Sequence, residues 1–259
     1  MPVVPFLPQR GQSETLEMPH YRGISCLSIC KRGESMPYYF GGERSGGLIG
    51  IPVLIIGESG SGKSASLRNF QSGEIAIINV QGKPLPFRNR LKAKHTDSYP
   101  EIQRLLPALA DKGAKSIVID DCQYLMANEF MRRSSETGFQ KFTDIGKNFW
   151  SLVQLSISLP DDIIIYFLGH VERDQNGNEK FKTIGKLLDE KITVEGMFTI
   201  VLRAQAVDGK YTFRTQTNGM DTAKSPMGLF NTLEIDNDLK FVDHQIRDYY
   251  AINKEDKQQ

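Results

Sequence analysis

Residues 51–64 read Ile51-Pro-Val-Leu-Ile-Ile56 followed by Gly57-Glu-Ser-Gly-Ser-Gly-Lys-Ser64. The second stretch fits G-x-x-x-x-G-K-[ST], a loop that cradles phosphates, and the apolar run before it reads as a strand. Ala65, Leu67 and Arg68 behind it favour a helix. Strand, glycine-rich turn and helix are the context this motif requires, and they predict an α/β fold.

The residue types carry the chemistry. A triphosphate is a dense cluster of negative charge, and the backbone must bend around it with its N–H groups pointing inward. Gly57, Gly60 and Gly62 permit the positive φ angles and close approach of such a nest. A helix starting near Lys63 adds unpaired N–H groups and its dipole. Lys63 is expected to bridge the β- and γ-phosphates, and the Ser64 hydroxyl to ligate Mg²⁺. Gly57, Glu58, Ser59, Gly60, Ser61, Gly62, Lys63, Ser64 and Ala65 are thus the expected nucleotide contacts.

A second acidic partner for the metal is found in Ser116-Ile-Val-Ile-Asp-Asp121. A continuous apolar run is how a strand buried on both faces reads. Ligand sites in open α/β sheets lie at the carboxyl ends of the strands, where this acidic pair falls. Asp120 is the candidate for the Mg²⁺ shell. Asp121 either polarises an attacking water or caps the following turn.

Ile75-Ala-Ile-Ile-Asn-Val80 is a further strand candidate between the two motifs. An extra strand at this place is the layout of motor-type ATPases, not of P-loop kinases and GTPases. Asn253-Lys254-Glu255-Asp256 matches the guanine-reading N-K-x-D, but no D-x-x-G switch follows the acidic strand. The expected base is therefore adenine. A fourth strand, Asp162–Leu168, runs into Gly169-His170-Val171-Glu172. His170, at a strand end, is a candidate γ-phosphate sensor, and Glu172 a candidate catalytic base.

Taken together, Gly57–Ser64, Ile117–Asp121 with Gln123-Tyr124-Leu125, Leu168-Gly-His170 and Thr222-Ala-Lys-Ser-Pro226 resemble the phage-encoded AAA/RecA-like ATPases of recombination and replication modules. The resemblance covers residues 49–250. It implies a RecA-like core and ATP hydrolysis coupled to single-stranded DNA binding or annealing. It also implies head-to-tail assembly as a ring or filament. Lys224 is then either a finger reaching a neighbour's γ-phosphate or an ordinary surface lysine. One departure stands out. RecA-type enzymes carry a catalytic Glu after the strand that follows the loop helix, whereas here Val80 leads into Gln81-Gly82-Lys83. Either Asp121 or Glu172 replaces it, or the chain works as an ATP-bound switch with slow turnover.

The remainder agrees with a single intracellular domain. The chain has 259 residues, 39% hydrophobic and 24% charged, enough to bury an ordinary core. No run of 18 apolar residues exists, so no membrane span is expected. A net charge of +1 leaves no global nucleic-acid signature. Cys26, Cys30 and Cys122 match no zinc spacing and read as reduced thiols, which points to the cytoplasm, that of a bacterial host if the chain is phage-encoded. Residues 1–48 show little periodicity and no basic start leading to an apolar core. They read as a flexible or disordered extension without a secretory signal. Residues 251–259 read as a short tail.

Phe142, Ile145, Phe149, Leu152 and Val153 recur at helical spacing and form an apolar stripe. The polar stretch 127–141 before it holds Arg132, Arg133 and Lys141, which the RecA-like resemblance makes candidates for DNA contact. Beyond residue 175 the chain reads as β, with Asn176-Gly177 and Asp208-Gly209 as hairpin turns. A mainly parallel sheet flanked by helices, extended by antiparallel strands near the C-terminus, suits a RecA-like plan better than a helical-lid plan. Finally, Arg88, Arg90, Lys92 and Lys94 alternate with neutral residues. If extended, they share one face, either a stripe along a phosphate backbone or a solvated edge.

Three functions fit: a DNA-dependent ATPase, an ATP-gated binding protein with little turnover, and an AAA+-like loader or remodeller acting on a protein partner.

Overall fold

The structure is a computed structural model and describes residues 49–88 and 91–252. The extension 1–48, Arg90 and the N-K-x-D match at 253–256 lie outside the described residues.

The chain forms an α/β fold in which helices flank a mixed, mostly parallel sheet of nine strands. Five pairings build the parallel part. β1 (Ile51–Gly57) lies between β5 (Ile164–Arg173) and β7 (Ile200–Val207). β5 pairs in turn with β4 (Ser116–Asp120), β4 with β2 (Ala76–Asn79), and β2 with the edge strand β3 (Ala93–His95). The β1 and β4 strands are therefore separated by one strand in the sheet.

β1, β4 and β5 are continuous apolar runs because both faces of the sheet are covered. Period two sends Leu54 and Ile56 to one face with α1 (Tyr99–Asp111), α2 (Tyr124–Arg132) and α3 (Gln140–Ile157). Val53 and Ile55 face the other way, toward Leu67, Phe213 and the helix α4 (Leu239–Tyr249). The apolar stripe expected at 142–153 is the buried face of α3, with Ile145, Phe149, Leu152 and Val153 fully enclosed.

The antiparallel extension follows the expected turns. β8 (Lys210–Arg214) folds back on β7 around Asp208 and Gly209, both at positive φ, and β9 (Glu234–Asp236) adds to β8. The other expected hairpin also forms, but its first strand is the end of β5, which runs past the expected Leu168. β5 continues through His170 to Arg173 and pairs with β6 (Glu179–Phe181) around Asn176-Gly177. Within the turn, the Asp174 carboxylate accepts the N–H groups of Asn176 and Asn178.

The C-terminal part is β only as far as Asp236. Asp238 then caps α4, accepting from the N–H groups of Lys240 and Phe241. Leu239, Val242 and Ile246 anchor α4 to the sheet, and Ala251 and Ile252 close its end. Asp243 and Arg247 are buried on the same face as a hydrogen-bonded pair. Asp243 also accepts from Ser116 and from Tyr166, while Arg247 donates to the carbonyls of Lys115 and Asp162. Every charge in this network has partners, as burial demands. Among the described residues no helix is long and apolar enough to cross a membrane.

Candidate functional site

Strand register assembles the site. Gly57 at the end of β1 stands beside His170, and Asn79 at the end of β2 beside Asp120 at the end of β4. The polar ends of four parallel strands thus share the carboxyl edge of the sheet, where such sheets bind ligands.

The loop leaving β1 turns through Gly60 at φ +79° and Gly62 at φ +91°, angles that favour glycine. Gly57 is needed for a different reason. A Cβ there would lie 2.6 Å from the carbonyl oxygen of Ala204 on β7. Glu58, Ser59 and Gly60 are exposed, whereas Ser61 and Lys63 are buried. The expected α-helix behind the loop is instead a six-residue 3₁₀ helix, Ser64–Asn69. The Ser66 hydroxyl donates back to the Lys63 carbonyl, a bond that competes with regular helix, and Phe70 resumes extended backbone. The dipole available at this N-terminus is correspondingly small. Arg68 fastens the short helix by donating to the carbonyls of Ala65 and Asn237.

Lys63 folds over the loop, its ammonium donating to the carbonyls of Gly57 and Glu58, both at 2.8 Å. Burial pushes its pKa down to about 8, against the opposing pull of Asp121 and Asp120. The Ser64 hydroxyl donates to Asp120 Oδ1 at 2.9 Å. Burial, reinforced by the neighbouring Asp121 charge, pushes the Asp120 carboxyl up to about 6. Among the described residues, no three His, Cys, Asp or Glu side chains gather into a metal site. A cation at this edge would therefore need ligands from substrate and water besides Ser64 and Asp120.

Asp121 adopts a left-handed backbone, φ +59°. Its carboxylate is held from two sides, by Lys83 Nζ at 3.1 Å and by His170 Nε2 at 3.4 Å. Burial opposes ionisation of this group, but the hydrogen bonds from His170 and Lys83 outweigh it and hold the carboxyl below its usual range. Lys83, raised chiefly by its bond to Asp121, also lies 5.3 Å from the centre of the Tyr124 ring. His170 meets the same ring edge-on at 6.0 Å, and its backbone N–H donates to the Gln123 side chain.

Of the expected site residues, Lys63, Ser64, Asp120, Asp121 and His170 are brought together. Glu172 is not part of this group. It lies two residues along β5, opposite Lys180 on β6, and pairs with that lysine at 3.5 Å. Lys224 is half-buried and bridged through its backbone to Val201, which lies level with Leu54 and not with the strand ends.

Among the described residues of the basic segment, 86–88 bend and only Ala93–His95 forms a strand, so these residues do not make one extended stripe. Arg88, Lys92 and Lys94 are exposed, with Lys94 ion-paired to Glu101. Farther round, Arg132 pairs with Asp97, and Arg133 with Glu129, Glu136 and Asp144. Lys141 is buried against the carbonyls of Arg133 and Glu136, so it is a strut and not a surface contact.

Two contributors escaped the sequence reading. The Asn79 side chain clamps the turn after β2, and Lys83 projects from that turn onto Asp121. The only sequence signal was Gly82 between Gln81 and a lysine, immediately beyond a strand. A cavity of about 420 Å³ adjoins the loop, bounded by Glu58, Ser61, Arg173, Arg203, Gln205 and Arg214. Its arginines are tied to carboxylates: Arg203 to Glu179, Arg214 to Asp221, and Arg173 to both Glu58 and Glu179. The chain matches no protein-family model and no curated protein.

Proposed function

We propose that this chain is a P-loop ATPase with a RecA-like core, acting together with single-stranded DNA. The observation that carries the reading is the meeting of Lys63, Ser64 and Asp120 at one sheet edge under a loop turned by Gly60 and Gly62. Elsewhere, a lysine buried to this degree and a carboxylate pushed up by burial would only cost stability. Here both become useful when a polyphosphate and a cation enter.

Each residue has a task in that chemistry. The Lys63 ammonium, now spent on two carbonyls of its own loop, transfers to phosphate oxygens. The N–H groups of the loop provide the remaining cradle. Ser64 and Asp120 present hard oxygens 2.9 Å apart, a donor pair that suits Mg²⁺, which draws its other ligands from phosphate and water. An ion held there would neutralise charge on the phosphate oxygens. Asp121 supplies the carboxylate that orients water. The water oxygen bonds to the terminal phosphorus, the bridging oxygen leaves with its electron pair on ADP, and the water proton passes to Asp121. His170, touching Asp121 and level with Gly57, senses the change at the terminal phosphate. The cavity beside Glu58 and Ser61 is of a size that accepts the rest of a nucleotide.

The DNA part of the proposal rests on the resemblance to phage recombination ATPases and on the exposed Arg88, Lys92 and Lys94. A second reading, an ATP-gated switch with little turnover, is favoured by one observation. Lys83 and not a glutamate occupies the turn after β2, and Asp121 is already engaged on both sides.

The test is the ATP hydrolysis rate with and without a single-stranded oligonucleotide, at low and moderate salt. Stimulation that fades with salt supports the DNA-dependent ATPase. Tight ATP binding with negligible turnover under all conditions moves the reading to the switch. No ATP binding removes both.

A further inference from the structure

The turn after β2 is a built mount for one side chain. The buried Asn79 amide accepts from the Gly82 N–H and donates to the Lys83 carbonyl, each at 2.7 Å. Gly82 takes φ +65°, and a Cβ on it would come 3.0 Å from the His95 ring, so the turn favours glycine. The ring is itself placed by His95 Nδ1, 3.0 Å from the Asn79 carbonyl. Asn79 is level with Asp120 in the sheet, so the Lys83 backbone is fixed at the same edge as Lys63 and Ser64.

The side chain on this mount is open to solvent. Lys83 is 60% exposed, and its pair with Asp121 is the partly solvated kind that exchanges readily. Charge explains where it would go. Beyond the Ser64–Asp120 pair the next fixed group is the Asp121 carboxylate. A phosphate that reached that far would meet a like charge, which a chain one phosphate shorter would avoid. Lys83 already touches Asp121, and its three donors can bind an incoming phosphate oxygen while still facing the carboxylate.

From this geometry, and resting on the proposed phosphate site, we infer that Lys83 is the chain's own γ-phosphate reader. It moves from Asp121 onto the terminal phosphate of a nucleoside triphosphate and separates triphosphate from diphosphate without help from a neighbouring subunit. The cation thus occupies the turn where the resembled family carries a carboxylate, so this turn serves recognition while Asp121 keeps the proposed part of base.

The test is a competition titration against a fluorescent ADP analogue with Mg²⁺, comparing ADP and a non-hydrolysable ATP analogue on the full chain. The variants are Lys83→Met, which keeps the stem, and Lys83→Arg, which keeps the charge. The expected result is a loss of triphosphate affinity of about tenfold or more in Lys83→Met, the size of one charge-assisted contact, with ADP affinity unchanged. Lys83→Arg should retain most of the preference. Equal loss for both ligands, or no loss for either, overturns the inference while leaving the phosphate site standing. A parent chain that binds neither nucleotide removes the phosphate site and the inference with it.

Discussion

The Ser64 hydroxyl and the Asp120 carboxylate, 56 positions apart in the chain, meet at 2.9 Å. β5 lies between β4, which ends in Asp120, and β1, which leads into the loop before Ser64. The contact satisfies one Asp120 oxygen, but the carboxyl is 5% exposed and pushed up to about 6. A carboxyl raised in the folded state stabilises the fold only while protonated. Its contribution is complete below the unfolded pKa near 3.8 and is lost as pH rises through about 6. Without ligand, Asp120→Asn should therefore stabilise the protein at pH 7.5, by on the order of 2–3 kcal/mol. The gain should vanish near pH 4, while Mg²⁺-dependent hydrolysis is lost. Thermal melts across that pH range check this, and a gain independent of pH would contradict it.

At the proposed phosphate site, Lys63 and Asp120 would make nucleotide binding a proton-linked event whose sign changes with pH. Near pH 8 to 8.5 part of the Lys63 population is neutral, because its pKa is about 8. Phosphate favours the ammonium, so binding there takes up protons. Near pH 6 part of the Asp120 population is protonated, and a cation favours the carboxylate, so binding with Mg²⁺ releases protons. Titration calorimetry in buffers of different ionisation enthalpy should find release at pH 6 and uptake at pH 8.5. Lys63→Ala should abolish nucleotide binding, and unchanged affinity in that variant would remove the assignment of the loop.

Arg247 and Asp243 hold α4 to the opposite edge of the sheet from the candidate site. Arg247→Ala would leave the Asp243 carboxylate buried, with only the Ser116 and Tyr166 hydroxyls as partners. Breaking a buried pair from one side costs about 3–5 kcal/mol. The variant should lose that much stability in urea titrations. Replacing both residues with apolar ones of similar volume should recover much of it.

What the sequence revealed and what it hid follow from how each contact is made. β1, β4 and β5 were legible because strands covered on both faces cannot alternate. The meeting of Lys63, Ser64 and Asp120 was legible because each follows or ends an apolar strand run. α4 was obscured by Asp243 and Arg247, charged residues on its buried face that interrupt the apolar spacing, although Asp238 stood ready as its cap. β3 left no trace, since all three of its residues are exposed. The Asn79–Lys83 turn left only Gly82 as a signal, for another reason. It depends on one amide side chain folding back on its own backbone, and no periodicity records that. The 3₁₀ helix after the loop likewise turns on a local bond from Ser66.

Gly169 precedes His170 in β5, and a Cβ there would sit 2.3 Å from the Phe181 ring. Phe181 is fully enclosed and stacks on Phe149 at 5.5 Å, so the ring has no room to retreat. Gly169→Ala must therefore displace either the ring or the β5 backbone, and overpacking of this kind costs roughly 1–3 kcal/mol. Movement of the backbone would carry His170 away from Asp121 and weaken nucleotide turnover along with stability. Shortening the ring separates the two effects. Phe181→Leu alone should destabilise by leaving a void, but combined with Gly169→Ala it should cost less than the two single losses together. A coupling of about 1 kcal/mol or more in this cycle would locate the strain at the ring. If the losses simply add, the backbone and not Phe181 yields, and turnover should remain low in the double variant.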